Sequence, residues 1–173
     1  MTRKPIALLL AAVLFFGSCA MLQSVVKGTF PYTANIVIPA SAKVNEPLTA
    51  ISTGNSFDQD FTKDGNNASR ISEVRIISAK LQSSDPSDYN IGNISSVRVY
   101  MGKSDGSDEV MVGIRKDITA TVGNSIVLDI DNSHFLDDLV RQQNVRIRMV
   151  YQLRKAVKTD VILKVSLGIG SSN

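Results

Sequence analysis

The sequence predicts an all-β protein: an antiparallel β-sandwich, immunoglobulin-like, of seven to nine strands, with one short helix near 133–142. Three observations carry this. From residue 29 onward, apolar and polar residues alternate with period two, the pattern of strands that bury one face. Clusters of Gly, Asn, Asp and Ser separate the alternating segments at short intervals, as turns do. Only one segment keeps helical spacing. An up-and-down barrel is the alternative closure of the same strands. The Cys and Trp marks of antibody-type domains are missing, since the chain has one Cys and no Trp.

Taken in order, Phe30, Tyr32, Ala34, Ile36 and Ile38 share one face of a first strand, and Pro31 places it at a sheet edge, because proline cannot donate to a ladder. Leu48 to Ser52 is a short second strand. The polar stretch from Thr53 to Ser69 reads as the longest loop. Ile71 to Leu81 is a third strand whose mixed facing implies a bulge. Val97, Val99 and Met101 then face Val110, Val112 and Ile114 across a turn at 102–109, pairing Met101 with Val110 and Val97 with Ile114. Ile118 to Val122 and Ser125 to Ile130 flank a Gly123-Asn124 turn. Phe135, Leu136, Leu139 and Val140 form the apolar face of the helix, with Asn132 or Ser133 as its cap and Asp137 and Asp138 in its early turns. Finally, Val145 to Leu153 and Val161 to Ile169 are expected as a hairpin that sets Leu153 against Val161.

The chain has 173 residues, 43% of them hydrophobic and 20% charged, enough for one cored domain. One Cys rules out an internal disulfide framework, and one His rules out a multi-histidine metal centre within the chain. The N-terminus carries the clearest signal. Arg3 and Lys4 precede an unbroken apolar run from Ile6 to Phe16, followed by Gly17, Ser18 and Cys19. The run is too short for a stable bilayer anchor, which needs roughly 20 apolar residues, and matches the apolar region of a signal peptide.

Phe16-Gly17-Ser18-Cys19 resembles the lipobox of bacterial lipoproteins, with Phe16 where that family usually carries Leu. The resemblance covers residues 1–19. It implies cleavage before Cys19 and acylation of Cys19, giving a signal peptide at 1–18, a lipidated tether at 19–28 and a β-sandwich domain at 29–170. Two or more acyl chains, at about 0.8 kcal/mol per buried methylene, would hold the chain on a membrane without a spanning helix. The expected address is the bacterial cell envelope, with the outer membrane favoured. Cleavage also removes Arg3 and Lys4 and no acid, so 19 basic side chains fall to 17 against 16 acidic ones. A nucleic-acid partner is therefore not expected.

Several side-chain clusters carry candidate chemistry. Asp129 and Asp131 could serve calcium or a paired-carboxylate hydrolase, but the same residues suit a strand end leading into a helix cap. Asp58, Asp60 and Asp64 miss the spacing of an EF-hand loop, and Phe57 and Phe61 alternate with them. His134 reads as a polar residue before the helix. Arg146, Arg148 and Arg154 form a basic stripe on the outer face of the last expected hairpin, with Val150 and Ile162 as an apolar patch between them. This surface is the expected partner-binding site, toward an envelope protein. No cofactor, metal or catalytic residue is expected. The expected function is a non-catalytic binding or assembly module, with a small-ligand (lipid or glycan) binding protein as the alternative.

Overall fold

The computed structural model describes residues 29–56, 73–142 and 144–171. The lipobox, the tether and the Asp58/Asp60/Asp64 stretch lie outside them. Nine strands follow one another: β1 Thr29–Ile38, β2 Pro47–Ser56, β3 Val74–Asp85, β4 Ile94–Lys103, β5 Val110–Arg115, β6 Ser125–Val127, β7 Asp129–Ile130, β8 Asn144–Leu153 and β9 Val161–Ser171. A 3-10 turn at Ile91–Asn93 and a helix α1 at Asp137–Val140 complete the described elements. The all-β antiparallel architecture is as the alternation predicts.

The strand order is β6-β3-β9-β1-β2-β8-β4-β5-β7. It behaves as two sheets that meet at one corner. β1 pairs with β9 along its whole length, and β2 pairs with β8 from Pro47↔Gln152 to Asn55↔Asn144. β1 and β2 pair with each other only at Tyr32↔Ser56 and Thr33↔Asn55, then part company. The far side is nearly closed. β6 pairs with β3, β7 pairs with β5, and between them the Leu128 amide donates to the Ala79 carbonyl at 2.9 Å. One extended segment thus changes sheets at a single buried leucine, 2% exposed. The result is a sandwich that approaches a barrel.

Alternation places the core. Ile36 and Ile38 from β1, Val97, Val99 and Met101 from β4, Val145 to Leu153 at every second residue of β8, and Val161 to Ile169 likewise on β9 are all buried. Burying apolar surface is the dominant favourable term for such a domain. Ser83 is the one buried polar residue among those described, and its hydroxyl donates to the Pro86 carbonyl at 2.6 Å.

Pro31 does not mark an edge, since β1 lies between β9 and β2, and β2 extends through Ser56 into the expected Thr53–Ser69 loop. Four further expectations are corrected. First, β8 and β9 do not form a hairpin. They lie in different sheets with β1 and β2 between them, because each has a better-matched antiparallel neighbour along its full length. Alternation fixes which residues face the core but not which strand lies alongside. Second, the β4–β5 hairpin starts at Met101↔Val110 as expected, but a bulge shifts the register. Val99 faces Gly113 and Val97 faces Arg115. Val112 and Gly113 both point inward there, and a side chain on Gly113 would press on Ala79 and Leu128 at 3.2 Å.

Third, Ile118 to Val122 is a loop. Its backbone groups are taken by other partners: the Ile118 amide donates to Ser95, the Val122 amide to Thr119, and Asn90 Nδ2 donates to the Ala120 carbonyl. Gly123, at φ +87°, supplies the left-handed turn that follows. Fourth, the helix is only Asp137–Val140, and its N-cap residue Leu136 makes no side-chain cap. Neither Asn132 nor Ser133 caps it; Ser133 is spent on Asp131 instead, its hydroxyl donating to that carboxylate at 2.6 Å. The expected bulge in β3 is present, between Ile76 and Ser78 and again between Ser83 and Asp85.

Candidate functional site

Two surface features follow from this topology: the outer face of the sheet β2-β8-β4-β5, and a groove where β1 and β2 separate.

Register defines the face. One row runs Ile51, Arg148, Tyr100, Met111 across the four strands, and the next runs Thr49, Val150, Arg98, Ile114. A third begins Thr53, Arg146, Gly102. Arg148 is the best-held member. Its Nε donates to both Glu109 carboxylate oxygens at 2.8 and 3.0 Å, its Nη2 donates to Oε2 at 2.5 Å, and its guanidinium lies 4.1 Å from the centre of the Tyr100 ring. A bidentate pair of this kind is strong for a surface contact. Hydrogen bonding from Arg148 holds the Glu109 carboxyl below its usual range, against the upward pull of partial burial.

The other arginines differ from this and from one another. The Arg146 guanidinium lies over Gly106 in the β4–β5 turn, a glycine at φ +88°. Arg98 is exposed, and neither Arg98 nor Arg146 makes an ion pair among the described residues. Arg154 is a structural clasp: Nη2 donates to the Ile118 carbonyl at 2.9 Å and Nη1 donates to the Gly92 carbonyl. It ties the end of β8 to the 3-10 turn and the following loop.

The expected surface is therefore divided. Arg146, Arg148 and Val150 share the face, and Arg154 is bound into the fold just beyond the end of β8. Ile162 is on β9 beside Val37 of β1, with β1 and β2 between it and β8. What the sequence reading missed are the neighbours: Ile51, Tyr100, Met111, Ile114 and Arg98. Each sits at a correct outward position of its own strand, but nothing in single-strand alternation says that these strands lie side by side.

The groove holds about 710 Å³ and is bordered by Val37 on β1 and by Leu48, Ala50, Ile51 and Ser52 on β2, with Tyr151 at its floor. β2 contributes the small residues Ala50 and Ser52 to its lining, and Lys43 and Glu46 of the β1–β2 connection also border it. Burial pushes the Tyr151 phenol above its ordinary range, so it remains a neutral donor.

The weighed carboxylates are engaged locally. Asp129 accepts from Arg115 Nη1 at 3.1 Å, and Asp131 accepts from the Ser133 amide and hydroxyl, which lower its carboxyl. Among the described residues no group of three or more His, Cys, Asp and Glu side chains could hold a metal ion, and no helix is long and apolar enough to cross a membrane. No protein-family model matches the chain, and no curated protein matches it.

Proposed function

We propose that this chain is a lipid-anchored protein of the bacterial cell envelope, attached through acyl chains on Cys19, favouring the outer membrane, and acting as a non-catalytic binding or assembly module. The observation that carries the anchor is the placement of the only cysteine directly after the Arg3-Lys4, Ile6–Phe16, Gly17-Ser18 sequence. The docking surface is the outer face of β2-β8-β4-β5. It mixes half-buried apolar side chains (Tyr100, Met111, Ile114, Val150) with arginines, a composition enriched at protein interfaces. Of its arginines, Arg98 and Arg146 are the ones available to an acidic partner.

Crosslinking in living cells, followed by isolation of the full chain, tests this. Replacing Arg98 and Arg146 with Glu should abolish capture of the envelope partner that the native chain captures, with the circular dichroism spectrum and melting temperature unchanged. Capture undiminished by both substitutions would count against the face. The alternative reading, a carrier of lipid or glycan, draws on the groove beside Tyr151. A stoichiometric small molecule in the native mass spectrum of the purified protein would favour it.

A further inference from the structure

We infer that the outer face of the sheet β6-β3-β9-β1 lies on the anionic surface of the bilayer that holds the acyl chains. This orientation rests on the proposed anchor at Cys19. The four strands contain three basic residues, Arg75, Lys80 and Lys164, and one acid, Asp85 at the end of β3. Arg75 is held by the Asn132 carbonyl and the Phe135 ring, which leaves the two lysines. Register sets them on neighbouring rows of the outer face: Lys80 of β3 pairs with Ser166 of β9, and Lys164 of β9 pairs with Gln82 of β3. They are diagonal neighbours, about 7–8 Å apart at the backbone. Neither makes an ion pair among the described residues.

Two like charges this close, with no acid to answer them, repel each other, and an anionic surface laid over the face relieves both at once. The opposite face differs. There Arg148 is answered by Glu109, Lys103 by Asp108 and Arg115 by Asp129. The lysines also have apolar company. Val127, 69% exposed, stands directly across from Lys80, and Val37, 46% exposed, shares the outer face on β1. Lysine stems lie along such side chains while the ammonium groups reach for phosphate, as at a headgroup layer.

The tether favours the same face. Thr29 opens β1, a strand of this sheet, and Cys19 stands ten positions before it. The acyl chains therefore lie within about 35 Å of Thr29 even at full extension. That is close to the length of β1 itself, about 33 Å for its ten residues. The domain is held within its own dimensions of the bilayer, where a polybasic face is drawn to an anionic leaflet. The outer faces of a sandwich look in opposite directions, so the β2-β8-β4-β5 face then points away from the bilayer, toward a partner.

The test uses the full chain, purified from membranes and reconstituted into phosphatidylcholine vesicles with or without phosphatidylglycerol, each containing a lipid with a nitroxide on its headgroup. Gln82→Cys on this face and Thr49→Cys on the other each carry a thiol-reactive fluorophore; acylation leaves Cys19 unlabelled. With phosphatidylglycerol present, the label at position 82 should be quenched several-fold more than the label at position 49. Omitting phosphatidylglycerol should remove the difference. So should Lys80→Gln with Lys164→Gln, at roughly fivefold in the membrane-facing population per lysine, with the melting temperature unchanged. Equal quenching at the two positions overturns the inference, as does a difference indifferent to phosphatidylglycerol. A label at position 82 that escapes quenching while the same position crosslinks to a protein in living cells gives the face to that protein and overturns the inference too. Intact mass of the same sample separates this from the anchor: a chain without lipid refutes both, and a lipidated chain unquenched at position 82 refutes the orientation alone.

Discussion

Arg148, Tyr100 and Glu109 show how a surface residue on β8 is fixed by neighbours from β4 and from the β4–β5 turn. The pair buries both side chains to roughly a fifth of their free exposure, 23% and 21%. At that depth it should outlast salt better than the exposed Lys103–Asp108 and Arg115–Asp129 pairs. Glu109→Gln should cost about 1 kcal/mol in denaturant unfolding at neutral pH. The pH dependence follows from the lowered Glu109 carboxyl. Its folded-state value lies below its unfolded one, so its contribution is complete above the ordinary glutamate range and is lost as pH falls through the folded value. The difference between native chain and variant should therefore shrink in acid. A difference that stays constant would mean that the contribution of Glu109 does not depend on its ionised carboxylate. Tyr32 marks the opposite, buried limit. Its hydroxyl donates to the Val140 carbonyl at 3.3 Å, fastening β1 to α1, and burial pushes it up to about 12.

At the scale of elements, the segment Ser125–Ile130 decides how closed the sandwich is. Leu128 is the residue at which the chain leaves β3 for β5, and its side chain packs against Gly113. Leu128→Ala should cost about 2–5 kcal/mol, because it opens a cavity at the seam between sheets. Hydrogen exchange should report faster exchange of the β6 and β7 amides than of those in β9. Equal protection throughout would show that the seam does not depend on this side chain. This segment also shows what the sequence discloses. Alternation marks 125–130 as one strand and identifies Ile126, Leu128 and the inward residues of β1, β4, β8 and β9 correctly. It does not disclose that the strand serves two sheets. It likewise misplaces β8 beside β9, since a short loop and matched faces suit a hairpin, while the actual partners depend on residues a hundred positions away. The helix shrinks for a local reason: Ser133 satisfies Asp131 and leaves no cap. Of the expected contact surface, three residues fall on one face; Ile162 does not because of strand order, and Arg154 does not because its guanidinium is bound to the Gly92 and Ile118 carbonyls just beyond the end of β8.

At the scale of the whole molecule, the described residues leave a broad half-apolar face on β2-β8-β4-β5 and a groove where β1 and β2 separate. In the proposed function the face is the docking surface, and the lipobox-like N-terminal sequence is the proposed means of holding the chain at a membrane. Anchoring would raise the local concentration for partner docking. The measurement that tests this account most directly is the intact mass of the full-length gene product purified from the membranes of the cell that makes it. The account predicts a chain that begins at Cys19, lacks residues 1–18 and carries the added mass of diacylglycerol on that cysteine, with or without an amide-linked acyl chain; Cys19→Ala should leave residues 1–18 attached and carry no lipid. A native chain that retains residues 1–18, or one that is cleaved elsewhere with an unmodified cysteine, would contradict it.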